Sequence, residues 1–223
     1  MQANRQNGAN RVLIAIGLLI ALGLPFIHLA YLGRLFAGLG HLWSEQAAWL
    51  VFLAIILLYV LGVERRPLSS IGFRAPTLPG LLLGVAAAVA IIGGDIAISR
   101  VEAALHLHVK PEIASLFQTA FWFRVVLVTR AAVAEEVVFR GYGFERITEL
   151  TGSKYLAAAA TFALFALAHY SGGGLALFLV AAWGGLILTL LYLWQRNLWI
   201  TITAHWLTDA VGFLLVPLMS AHH

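Results

Sequence analysis

The sequence has no cysteine and little charge. Only 11% of its 223 residues are Asp, Glu, Lys or Arg, and only 10 residues are acidic, whereas about 25% of the residues in a soluble domain are charged. The missing cysteine excludes disulfides, thiolate metal sites and a cysteine nucleophile. The missing charge argues against an ordinary soluble globular domain, so the chain is expected to fold in an apolar environment.

What the chain has instead is apolar sequence. Hydrophobic residues make up 61% and the mean hydropathy is +0.91. Several apolar runs approach the ~20 residues that cross a bilayer as a helix. This pattern predicts one all-α, membrane-embedded domain over residues 1–223, a polytopic bundle of about seven transmembrane helices, with a motif-bearing core over 112–219. The predicted spans are residues 12–32, 47–63, 78–99, from 112 to beyond 140, 155–170, 175–194 and 198–219.

The basic residues predict the orientation. With the amino terminus in the cytoplasm, nine loop lysines and arginines lie on the cytoplasmic side and three, Arg34, Arg100 and Lys110, lie outside, as the positive-inside rule requires. The first span follows Arg5 and Arg11 as in a signal peptide, but its length and the lack of a cleavage site predict a retained anchor. The net charge of +4 suits an anionic membrane surface better than nucleic acid. We therefore expect a multi-pass protein of a prokaryotic cell membrane.

Two adjacent carboxylates, Glu135 and Glu136, interrupt the apolar sequence. Ionisable groups at bilayer depth cost several kcal/mol each unless they are paired or hydrated, so they mark candidate functional sites. Glu135 lies 17 residues before the turn at Gly152 and His169 lies 17 residues after it, which brings both to one level in an antiparallel helix pair. His205 follows the turn at Arg196–Asn197 by about two turns, so three helices place polar groups at one depth.

Two of these polar groups have a partner one turn away. Glu136 and Arg140 are spaced i, i+4 on a helix, and so are His205 and Asp209, and side chains with this spacing face each other. Pairing of Glu136 with Arg140 leaves Glu135 pointing about 100° away around the helix. Asp209 can accept a hydrogen bond from one imidazole nitrogen of His205 and set the tautomer that the other nitrogen presents.

The ordered set of motifs resembles the CAAX prenyl endopeptidase and bacteriocin-processing (CPBP/Abi) family of intramembrane proteases. Each motif is short, but together they occur in the family's order on successive spans, over roughly residues 130–211. The third motif ends in aspartate, where the CAAX-processing enzymes have asparagine. The motifs are Glu135-Glu136-x-x-x-Arg140, Phe165-x-x-x-His169 and His205-x-x-x-Asp209.

The resemblance implies peptide-bond hydrolysis inside the membrane. In that scheme Glu135, as general base, activates a water together with His169, while His205 and Asp209 stabilise the oxyanion. Glu136 and Arg140 would support the site. One glutamate and two histidines, Glu135, His169 and His205, could equally hold a divalent metal such as zinc, so the cofactor is either none or a metal. A lipidated or hydrophobic peptide, or a membrane protein, would be the substrate.

Two other functions compete with a protease at this level. A proton-coupled transporter would use intramembrane Glu, His and Asp as a relay, but it predicts repeats in both halves of the chain, and the polar groups here fall in the second half. A non-catalytic binding or immunity protein would keep the fold with degenerate motifs, and all three motifs are complete.

Overall fold

A computed structural model describes residues 2–23 and 34–216, and every regular element in these residues is helical. The all-helical membrane fold is thereby confirmed. Within residues 2–23 and 34–216 eight α-helices follow one another, with short 3₁₀ turns at Arg34–Leu39 and Leu68–Ile71. They are α1 (Gln2–Leu18), α2 (His41–Leu58), α3 (Leu78–Ala104), α4 (Pro111–Leu116), α5 (Phe121–Glu135), α6 (Phe144–Thr151), α7 (Lys154–Gln195) and α8 (Leu198–Ala210). π-Helical turns extend α1, α2, α5 and α8 at Leu19–Gly23, Tyr59–Val63, Glu136–Gly143 and Val211–Leu215.

Four helices of the described chain are long and apolar enough to cross a membrane: His41–Val63, Leu78–Ala104, Lys154–Gln195 and Leu198–Leu215. They correspond to the predicted second, third, fifth with sixth, and seventh spans. The first predicted span is helical to Gly23, and its remainder, residues 24–32, lies outside the described residues. The last three residues of the seventh predicted span, 217–219, also lie outside them.

α7 contains both the fifth and the sixth predicted span. Its 42 residues would measure about 63 Å as one straight helix, twice the ~30 Å of a hydrocarbon core. At Gly174 the backbone leaves the helical region with φ 80° and ψ −164°, a conformation that favours glycine. The glycine-rich stretch Ser171–Gly174 is therefore helical up to this one residue, which divides α7 into two pieces of span length.

The predicted start of the fourth span, at residue 112, is wrong. The short helix α4 ends at Leu116 and α5 begins at Phe121, and Arg124 donates a hydrogen bond to the carbonyl of Phe117 in the break between them. An apolar run hides such a break because hydropathy carries no signal for a turn stabilised by a side chain. α3 runs on to Ala104, five residues beyond the predicted end of the third span, and His106 just after it adopts a positive φ of 53°.

The described chain divides into two compact units. Unit 1 consists of Met1–Phe73 with Ala134–Thr161, and unit 2 consists of Arg74–Val133 with Phe162–His223. The first motif, which contains the two glutamates, therefore belongs to unit 1. The second and third motifs, which contain the histidines, belong to unit 2.

The core of unit 2 is formed where α3 packs against α8. A Cβ added to Gly84 on α3 would lie 2.7 Å from the carbonyl oxygen of Ile200 on α8, so only glycine permits this close approach. Further along both helices, Ile91 and Ala204 are buried in one apolar cluster with Leu188, Leu191 and Ile200. This packing fixes the register of α8, the helix that carries the third motif.

Candidate active site

The two adjacent glutamates lie where α5 changes from α-helical to π-helical winding. Glu135 is the last residue of α5, and Glu136 begins the π-helical turn that ends at Gly143. At the end of this turn the amide of Phe144 donates to the carbonyl of Phe139, five residues earlier. π-Turns within helices occur frequently at functional sites, because the extra residue changes the direction of the side chains that follow.

Glu136 and Arg140 form the ion pair predicted from their spacing. Arg140 Nη1 donates to Glu136 Oε1 at 2.8 Å, and both side chains have 0% exposure. A buried pair of this kind is costly to break, because removing one partner leaves an uncompensated charge. The geometry therefore gives Glu136 a structural partner within its own helical segment.

A second buried ion pair in unit 1 was not predicted from the sequence. Glu64 accepts hydrogen bonds from the Tyr142 hydroxyl at 2.7 Å and from Arg146 Nε at 2.9 Å, and Arg146 also reaches Ser70. Both charged side chains of the pair are 2% exposed. The network anchors the π-turn through Tyr142, two residues after Arg140. The sequence signal for this network is one charged residue, Glu64, at the end of an apolar span. Its partner Arg146 lies 82 residues further along the chain.

The second motif fixes the orientation of a histidine. His169 Nδ1 lies 2.8 Å from the carbonyl oxygen of Phe165. A carbonyl only accepts, so this hydrogen bond assigns the proton of the neutral ring to Nδ1 and leaves Nε2 as the basic nitrogen. The rings of Phe165 and His169 also contact each other, with centroids 4.5 Å apart. The hydrogen bond to the backbone carbonyl and the contact with the Phe165 ring together hold the imidazole in one orientation.

The third motif meets the second at the same phenylalanine. His205 Nε2 lies 3.5 Å from Asp209 Oδ2, and the side chains are 9% and 25% exposed. The Phe165 ring packs edge-on against His205, with centroids 6.4 Å apart and an interplanar angle of 79°. Phe165 is itself 3% exposed. One buried ring therefore contacts both histidines.

Of the predicted site residues, unit 2 brings His169, His205 and Asp209 together around Phe165. Glu135, Glu136 and Arg140 lie in unit 1, so the convergence of Glu135 with the histidines stays a prediction. Within neither unit do the described His, Asp and Glu residues form a group of three that could hold a metal ion. The proposed ligand set of Glu135, His169 and His205 draws on both units and also stays a prediction.

Comparison with known families decides the identity. The family model of the type II CAAX prenyl endopeptidases, Rce1-like, matches residues 96–211, which is just over half of the 223 residues and includes all three motifs. The chain belongs to this family. No curated protein and no solved structure gives a significant match.

Membership of the type II CAAX prenyl endopeptidase, Rce1-like, family supports a CAAX-type intramembrane protease. Its four long apolar helices make the chain an integral membrane protein. A protease of this family acts on peptide bonds, so peptides are its substrate class. The first two long spans contribute little to the match.

Proposed function

We propose that this protein is an intramembrane endopeptidase in which Glu135 activates the attacking water. The observation that supports it most directly is the contact of both His169 and His205 with the same Phe165 ring, with Asp209 beside His205. Two oriented imidazoles and a carboxylate, in a chain of a CAAX protease family, are suited to hold a water and a peptide carbonyl together.

The reaction is hydrolysis by a water rather than by a protein nucleophile. Glu135 accepts a proton from the water while the oxygen of that water bonds to the scissile carbonyl carbon. The basic Nε2 of His169 helps to orient the water. His205, protonated on both ring nitrogens, directs one N–H to Asp209 and donates the other to the carbonyl oxygen as that oxygen becomes an oxyanion. The C–N bond then breaks, and the proton held by Glu135 passes to the leaving amine.

A metal-dependent form of the same reaction is the alternative. The hydrogen bond from His169 Nδ1 to a backbone carbonyl is the contact that commonly orients a metal-ligating histidine. Glu135, His169 and His205 would then hold zinc, which would supply a Lewis acid for the carbonyl and a more acidic water. Asp209 would still pair with His205.

Replacing Glu135 tests this proposal. We expect Glu135→Gln to abolish cleavage of a lipidated or hydrophobic peptide by the purified protein and to leave its melting temperature within a few degrees, because glutamine keeps the size and hydrogen bonding of the side chain. Wild-type activity that survives exhaustive chelation supports the metal-free form, and loss restored by zinc supports the metal-dependent form. An active Glu135→Gln protein would refute the role of Glu135.

The site is proposed to open to the cytoplasm, since the basic residues place that face beside the turn at Arg196. Thr208 is half-buried and lies next to Asp209, and the chain has no cysteine. A membrane-impermeant thiol reagent should therefore label Thr208→Cys from the cytoplasmic side of oriented vesicles. Labelling confined to the external side would contradict both the orientation and a cytoplasmic substrate.

A further inference from the structure

Asp95 lies on α3 at about the level of the third motif, which α8 carries. α3 and α8 run in the same direction, since Gly84 contacts Ile200 and, further along both helices, Ile91 packs in one cluster with Ala204. Asp95 follows Ile91 by about one turn. It lies within electrostatic reach of Asp209, which is five residues beyond Ala204. Asp95 precedes the residues that match the family model, 96–211.

The helix around Asp95 is held in place by a tryptophan of α7. Trp183 Nε1 donates a hydrogen bond to the carbonyl of Ile91 at 3.1 Å. A Cβ added at Gly94 would lie 1.9 Å from that same indole nitrogen, so the indole ring occupies the space above Gly94. Contacts on both α7 and α8 therefore fix the position of the carboxylate that follows.

One oxygen of Asp95 is buried without a donor. Asp95 Oδ1 has no hydrogen-bond partner among the described residues. Burying a polar group without its hydrogen bond is unfavourable, and more so for a charged one. Glu64, a structural carboxylate of unit 1, by contrast accepts from both Tyr142 and Arg146. The Asp95 oxygen is thus a buried acceptor within electrostatic reach of Asp209.

We propose that Asp95 is a substrate-binding residue that accepts a hydrogen bond from a backbone N–H of the peptide held at His205. This inference rests on the proposed protease function and names a contact that recognises its substrate. An extended peptide at membrane depth carries N–H groups that water does not satisfy, so each needs a protein acceptor. A carboxylate makes the stronger, charge-assisted kind of hydrogen bond, and it accepts from any sequence because the backbone N–H is common to all peptides.

The test removes the proposed hydrogen bond first on the peptide, by N-methylation of an amide, and then on the protein, by substitution of Asp95. A hydrophobic peptide substrate is prepared in versions with a single N-methylated amide at each position flanking the scissile bond. We expect one N-methyl group to lower kcat/KM and peptide binding by wild-type protein roughly 10- to 100-fold, as for the loss of one hydrogen bond to a charged group. In Asp95→Ala the unmethylated peptide should show that loss, and the same N-methyl group should have no further effect. Asp95→Asn should fall between the two.

Glu102 is the matched control. It lies two turns further along the same face of α3, and its Oε1 is likewise buried without a donor, but Asp209 is not among the groups that act on it electrostatically. Glu102→Gln should leave the N-methyl penalties unchanged. Equal penalties in wild-type protein and in both Asp95 variants, for every amide tested, would overturn the proposal. If wild-type protein binds the peptides without cleaving them, the protease function fails, and the binding constants alone decide the role of Asp95.

Discussion

Replacing Glu136 by glutamine should destabilise the protein more than any other loss of one acidic charge in unit 1 outside the Glu64 network. The change keeps the side-chain size and removes the negative charge from a pair in which both members have 0% exposure. The Arg140 guanidinium then remains buried beside a neutral amide. Removing one partner of a fully buried ion pair costs about 3–5 kcal/mol.

That cost predicts a lower melting temperature. For a chain of 150–250 residues, 1 kcal/mol corresponds to about 2–4 °C, so Glu136→Gln should melt roughly 6–20 °C below wild type in detergent. Replacing both partners, with Glu136→Met and Arg140→Met, should recover part of this loss, because the buried charges disappear together. Scanning fluorimetry on the indole signal of the seven tryptophans would follow the transition.

Glu149→Gln provides the control with the same chemical change. Glu149 pairs with Arg66, but the two side chains are 40% and 28% exposed, and such a surface pair contributes only about 0–1 kcal/mol. If Glu136→Gln melts no lower than Glu149→Gln, the buried pair does not stabilise unit 1 and the structural role given to Glu136 is refuted.

Two further outcomes follow from particular contacts. The hydrogen bond from Arg66 lowers the pKa of Glu149 from its ordinary value of 4.5. The pair therefore stabilises the fold above pH 4.5, and this contribution is lost as the pH falls below that value. The small difference in melting temperature between wild type and Glu149→Gln should vanish at such low pH. Gly94→Ala should lower the melting temperature, since the added Cβ would lie 1.9 Å from Trp183 Nε1. A Cβ added at Gly93 would meet nothing within 4 Å, so Gly93→Ala should leave the melting temperature equal or raise it slightly through the higher helix propensity of alanine.

The sequence could predict the contacts that a single helix determines. The pairs Glu136–Arg140 and His205–Asp209 are spaced i, i+4, and the structure contains both, because the geometry of one helix turn decides which side chains meet. The contact between Phe165 and His169 follows from the same spacing. The all-helical class was equally accessible, since it depends on summed hydropathy and not on any one residue.

Contacts between distant segments could not be predicted in this way. Nothing local to Glu64 indicates that Arg146 will bury its guanidinium against it, and nothing local to Asp95 indicates that it will lie within electrostatic reach of Asp209. Both arrangements depend on which helix faces pack together. The break before α5 escaped prediction for a related reason, because the apolar residues on either side of it read as one continuous span.

The buried pair also separates the roles of the two adjacent glutamates. A carboxylate that accepts a hydrogen bond from a buried guanidinium is stabilised in its charged form, whereas a general base must take up a proton during the reaction. The pairing of Glu136 with Arg140 therefore makes Glu136 the poorer base, and we infer that Glu135 has that role. Activity per folded molecule should survive in Glu136→Gln while its stability falls, and the reverse should hold for Glu135→Gln. Comparable stability of the two variants, with only Glu136→Gln inactive, would exchange these assignments.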